Sequence, residues 1–208
     1  ADQECTSAVG GFRESDGPNN TIGRENARPG TRDWRVPAVG ASPWRLSLPN
    51  GSIFGWTSRM SVNPGENLSV HVSTRADSDG YHATVYRLGY YAGQGGRKVA
   101  ELGQFPATPN TGESHDLVTG YLVTNWPASF NVTIGLDWPT GVYELKLVDA
   151  NNDTAPIIFV VRDSRHCGQL LVYTDEFTYV AYSDWPGEWL YPNDGAVPPS
   201  NGARHRAY

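Results

Sequence analysis

A period-two alternation of apolar and polar residues dominates the middle of the chain. In "NLSVHVST" (67–74), Leu68, Val70 and Val72 point to one side and Ser69, His71 and Ser73 to the other. That is the pattern of a strand with one buried face. β-branched and aromatic residues with near alternation recur in "IFGWTSRMSV" (53–62), "HATVYRLGYY" (82–91), "RKVAELGQF" (97–105), "YLVTNW" (121–126), "SFNVTIGL" (129–136), "GVYELKLVD" (141–149) and "PIIFVVRD" (156–163). Turn formers such as "NPGE" and "ADSDG" punctuate them, and the strands follow at intervals of about ten residues. Seven or eight short strands with regular turns predict a mainly β fold, an antiparallel immunoglobulin-like or jelly-roll β-sandwich.

The pattern changes at both ends. Residues 1–52 are rich in Gly, Pro, Asn and Arg with little periodicity, and read as an extended N-terminal arm packed on something else. Within it, "ENARPGTRDWRV" (25–36) is expected to be ordered, because Trp34 is costly to leave in water. Residues 53–164 form the sandwich. From 165 onward, "QLLVYTDEF" is an apolar run suited to a strand buried on both faces, and "TYVAYSDWPGEWLY" (178–191) begins with helix-compatible spacing. A buried strand feeding a helix is how an α/β domain opens. Residues 165–208 are therefore expected to supply the first strand and helix of an incomplete α/β domain, and the chain shows no internal repeat.

Composition narrows the function classes. The net charge of −6 and pI near 5.3 argue against a nucleic-acid partner, which needs clustered basic surface. No segment reaches the roughly 18 apolar residues of a membrane span. The two cysteines, Cys5 and Cys167, are either buried thiols or one disulfide, and the disulfide is favoured. Five Asn-x-Ser/Thr sequons, at Asn19, Asn50, Asn67, Asn131 and Asn152, agree with a secreted, extracellular glycoprotein. "ADQEC" reads as a mature terminus from which a signal peptide has been removed.

Familiar catalytic signatures are missing: no H-E-x-x-H, C-x-x-C, G-x-S-x-G or P-loop. "YYAGQGGRKV" is read as a hairpin loop whose glycines supply positive φ. His71, His82, His115, His166 and His205 are dispersed; His71 and His82 could face each other across a hairpin, but two imidazoles make a poor metal site. Asp149, Asn151, Asn152 and Asp153 in "DANND" could present oxygens to calcium, although a strand-connecting turn is the simpler reading. The aromatic stretch around Tyr179, Tyr182, Trp185, Trp189 and Tyr191 is interspersed with Asp175, Glu176, Asp184 and Glu188. Phenolates and carboxylates are hard oxygen donors suited to ferric iron. The simpler reading is an aromatic seam between two domains.

An ordered series of segments, "ENARPGTRDWRV", "GWTSRMSVNPGENLSVHVST", "VYRLGYYAGQGGRKV", "DWPTGVYELKLVD", "FVVRDSR" and "AYSDWPGEWLY", resembles the large (β) subunit of N,N-dimethylformamidase and its relatives. The resemblance covers roughly residues 25–208. It implies a β-sandwich preceding a larger α/β domain of glutamine-amidotransferase-like fold. That domain is implied to hydrolyse a linear amide with a mononuclear iron held by two tyrosines and a glutamate, the iron acting as Lewis acid on a water. By matching segments, Tyr182 is implied as one iron ligand and Tyr208, more loosely, as the second. The sequence departs from the family's segments at Ser183, Pro186 and Arg204 to Ala207, and the implied glutamate would lie beyond residue 208.

Three functions follow as expectations. The first is the N-terminal part of a secreted, iron-dependent amide hydrolase-like protein, with the sandwich as scaffold or interaction domain and the remainder of a longer chain or a second subunit as partner. The second is a carbohydrate-binding, lectin-like glycoprotein using Trp185, Trp189 and Tyr191 for sugar stacking. The third is a structural module presenting edge strands to copies of itself in a homo-oligomer.

Overall fold

The computed structural model describes residues 21–36, 53–110, 113–116, 121–162, 172–175 and 178. The alternating segments form two sheets packed face to face. β1 (Ile53–Thr57), β3 (Asn67–Thr74) and β8 (Phe130–Thr133) make a three-stranded antiparallel sheet in the order β1-β3-β8. β2 (Ser61–Val62), β4 (Tyr81–Leu88), β5 (Gly96–Phe105), β9 (Gly141–Asp149) and β10 (Thr154–Val161) make the larger sheet, ordered β2-β10-β9-β4-β5. Leu68, Val70 and Val72 face inward with no exposure and meet Tyr143, Leu145, Leu147 and Phe159 of the larger sheet in one core. The expected β-sandwich is thus observed.

Two details differ from the sequence pattern. "IFGWTSRMSV" is two strands in different sheets: β1 ends at Thr57, and β2 joins the larger sheet by pairing parallel with β10. The polar run Ser58–Arg59 carries the chain between the layers, a corner that alternation alone does not mark. "ESHD" forms a strand, β6 (Glu113–Asp116), paired with β7 (Tyr121–Thr124), although it has no apolar alternation to announce it. Gly55 sits on the inward row of β1. A Cβ there would come within 2.7 Å of Ile157 Cδ1, so glycine permits the close approach of the two sheets.

The "DANND" segment is the β9–β10 turn. Asp149 is buried and its Oδ1 accepts the backbone N–H groups of Asn151 and Asp153, each at 2.9 Å. Its carboxylate closes the turn, the Asx habit of aspartate. Asn152 holds φ at 64°, in the left-handed region. Asn152→Ala is expected to destabilise the domain by about 1 kcal/mol and Asn152→Gly by much less, as read by urea unfolding.

Of the "QLLVYTDEF" run, residues 172–175 are described. They carry no strand, and Val172 and Tyr173 are 69% and 78% exposed. A strand buried on both faces needs neighbouring strands and covering helices, and the apolar run alone does not bring them. Asp175 accepts hydrogen bonds from the Thr178 amide (3.2 Å) and hydroxyl (2.6 Å), the pattern of a helix N-cap. The other residues of the expected α/β opening lie outside the described residues.

Candidate functional site

The described part of the arm folds back on one end of the larger sheet. α1 (Thr21–Asn26) places Glu25, 4% exposed, against the loop joining β4 to β5. Glu25 Oε1 accepts the Tyr91 hydroxyl at 2.8 Å and Arg97 Nε at 2.6 Å, and Arg28 Nη1 lies 3.4 Å from Oε2. The Tyr91 hydroxyl in turn accepts from Arg87 Nη1 at 3.0 Å, while Arg87 Nη2 donates to the Thr140 carbonyl at 2.9 Å. A chain of charge-assisted bonds therefore runs from Arg87 through Tyr91 to Glu25 and Arg97. Burial pushes the Glu25 carboxyl up, but bonds from Arg97 and Tyr91 and the charges of Arg97 and Arg28 outweigh it, holding it below the usual range. Burial pushes the Tyr91 phenol up, so it remains the protonated bridge.

Backbone geometry at the loop is unusual. Tyr91 and Ala92 have φ of 42° and 54°, and Gly93 and Gly95 have 82° and 86°. The glycines fill the role expected of "YYAGQGGRKV"; the two non-glycine residues do not have that freedom. Strain of this kind persists where surroundings over-determine it. Here Tyr91 is fully buried, its hydroxyl is bonded on both sides, and Asn26 Oδ1 accepts the neighbouring Tyr90 amide at 3.1 Å.

The arm then crosses the outer face of the larger sheet. The Thr31 amide donates to the Gly96 carbonyl at 2.8 Å, and the Trp34 indole N–H donates to the Gln94 carbonyl at 3.1 Å. A Cβ on Gly96 would come within 2.6 Å of the Trp34 ring, so this glycine seats the indole. Farther across, Lys146 Nζ on β9 donates to the Asp33 carbonyl at 2.6 Å and the Arg35 carbonyl at 3.1 Å. Two residues earlier on the same face, Glu144 is 3% exposed and its buried Oε1 has no hydrogen-bond partner. Burial without compensation raises its carboxyl to about 7, against a small opposing effect from Lys146.

Three resemblance-bearing segments distant in sequence, "ENARPGTRDWRV", "VYRLGYYAGQGGRKV" and "DWPTGVYELKLVD", thus meet at one place. The sequence pattern of these segments assigns no role to Glu25, Arg87, Tyr91, Arg97 or Glu144. Glu25 lies more than 60 positions from the other three of its network, and Glu144 occupies an outward position where a charge reads as solvated.

The sequence-predicted site residues are distributed otherwise. Tyr182, Tyr208, Trp185, Trp189, Tyr191, Cys5, Cys167, Asn19 and Asn50 lie outside the described residues. Asn67 and Asn131 are exposed on the solvent face of β3 and β8, and Asn152 is exposed in its turn. The two strand sequons interlock: the Thr133 hydroxyl donates to Asn67 Oδ1 at 2.8 Å and the Ser69 hydroxyl to Asn131 Oδ1 at 2.7 Å. Both bonds use the amide oxygen and not the nitrogen that carries a glycan. His71 and His82 fall in different sheets and do not face each other. His71 stacks on Trp56 with centroids 3.8 Å apart and donates from Nδ1 to the Trp126 carbonyl at 2.7 Å. Among the described residues, no group of three His, Cys, Asp or Glu side chains could hold a metal ion, and no helix is long and apolar enough to cross a membrane.

Residues 82–207, more than half of the chain, match the family described as N,N-dimethylformamidase beta subunit-like, C-terminal. The chain belongs to this family. The dimethylformamidase-like match begins in β4 and takes in Arg87, Tyr91, Arg97, Glu144 and Tyr182, while Glu25 and Trp34 precede it. No curated protein matches the sequence. Among solved structures, the sporulation control protein Spo0M from Bacillus subtilis is similar over 54% of this chain at 13% identity and a TM-score of 0.28. The chain spans about half (49%) of that protein's length.

Proposed function

We propose that this chain is the sandwich-bearing part of an amide hydrolase resembling N,N-dimethylformamidase, in which the sandwich is scaffold and interaction surface. The observation that carries this reading is the reach of the family match, which takes in both the strands from β4 onward and the segment containing Tyr182. Among the described residues, no group of three or more His, Cys, Asp or Glu side chains could hold a metal ion. No catalytic step is therefore assigned to the sandwich. Tyr182 and Tyr208 are proposed as iron ligands in the following part, with the remaining ligand and the substrate pocket supplied by a longer chain or a second subunit.

The test is hydrolysis of small linear amides by the natural polypeptide with its native partners. Tyr182→Phe is expected to lower kcat at least about tenfold while leaving the urea midpoint of the sandwich unchanged. Equal amide turnover by wild type and Tyr182→Phe, or none by either, would remove this reading.

A further inference from the structure

We propose that the docked arm is a pH-responsive clamp in which Glu144 and the arm compete for one cation, the Lys146 ammonium. Lys146 Nζ is the polar tie between β9 and the arm, donating to the carbonyls of Asp33 and Arg35. Glu144 lies two residues away on the same face of the same strand, nearly fully buried, with an oxygen that no group satisfies. A neutral carboxyl makes no claim on the ammonium, and the tie to the arm stands. Once the carboxyl gives its proton to water, a buried carboxylate has one strong local remedy, which is to draw the ammonium to itself. Both arm carbonyls then lose their donor, and β9 releases Asp33 and Arg35 while Trp34 keeps its bond to Gln94.

The groups around Glu144 support this sense of response. Across β4 its register partner is Tyr86, 6% exposed, whose phenol burial pushes up. Tyr86 also feels Asp33 from the arm and Lys98 and Glu101 from β5. The positions of β10 opposite Val142, Glu144 and Lys146 are Val160, Ile158 and Pro156, which carry no charge. Lys146 is therefore the cation placed to answer an ionised Glu144; Lys98 is already engaged by Glu101 at 2.9 Å. The other anchors do not titrate in this range: Thr31 and Trp34 hold to Gly96 and Gln94 through uncharged bonds. Glu25 is held ionised and Tyr91 protonated, so α1 stays docked while β9 releases Asp33 and Arg35.

Amide hydrogen exchange on the full chain, corrected for intrinsic rates at each pH, reads the clamp directly. In the wild type, protection at residues 33–36 is expected to fall at least about tenfold between pH 5.5 and pH 8.5, with α1 unaffected. Glu144→Gln is expected to abolish that fall and keep the stretch protected at both values. Lys146→Met is expected to leave it unprotected at both, with the far-UV strand signature retained. A flat wild-type profile, a fall that survives in Glu144→Gln, or full protection in Lys146→Met would each overturn the proposal.

Discussion

Glu25→Ala is expected to lower the unfolding free energy of the sandwich by about 3 kcal/mol, the lower end of what breaking a buried ion pair costs. Glu25 is 4% exposed and accepts from both Tyr91 and Arg97. Its removal strands the Tyr91 hydroxyl and leaves Arg87, itself 4% exposed, with no carboxylate at the end of its bond chain. Arg97 is 17% exposed and can turn toward water, which is why the upper end is not expected. Positive φ at Tyr91 and Ala92 adds to the effect, because the contacts that hold that strained turn pass through Glu25. Urea unfolding at constant m measures the loss. The exposed Lys98–Glu101 pair is the control: Glu101→Ala is expected to cost less than about 1 kcal/mol. Equal costs for the two would show that the buried Glu25 network contributes no more than an exposed ion pair.

The second large effect is pH-dependent. Glu144 has its carboxyl raised by burial from an ordinary 4.5 to about 7. A group raised on folding contributes stability that is fully present below its unfolded value and is lost as pH rises through its folded value. The wild type is therefore expected to lose about 3 kcal/mol relative to Glu144→Gln between pH 4.5 and pH 8. Near pH 4 the two proteins should be nearly equal in stability, and above pH 7 the variant should be the more stable. Chemical denaturation across that range decides it, and parallel pH profiles for the two proteins would contradict it.

Much of the fold was legible because its strands bury one face. Leu68, Val70 and Val72 announce β3, and the same alternation marks β4, β5, β9 and β10 with bounds close to those observed. What escaped has physical reasons. The sheet switch at Ser58 and Arg59 depends on where a strand turns, not on which residues it buries. β6 pairs through its backbone while its side chains are polar. The Glu25–Tyr91–Arg87–Arg97 network joins Glu25 to three residues more than 60 positions away, so no local spacing betrays its carboxylate. Glu144 is the sharpest case. "YELKL" reads as a strand with a solvated outer row, yet that row is where the arm crosses. The proposed iron ligands Tyr182 and Tyr208 lie outside the described residues, among which no group of three or more His, Cys, Asp or Glu side chains could hold a metal ion.

In the proposed function, the chemistry belongs to the part carrying Tyr182 and the sandwich supports it. Metal analysis and the visible spectrum of the natural polypeptide, purified with its native partners, test this most directly. Bound iron is expected, with a tyrosinate-to-iron absorption band that Tyr182→Phe weakens or removes, while Glu144→Gln leaves it unchanged. A preparation without iron, or a band indifferent to Tyr182→Phe, would contradict it.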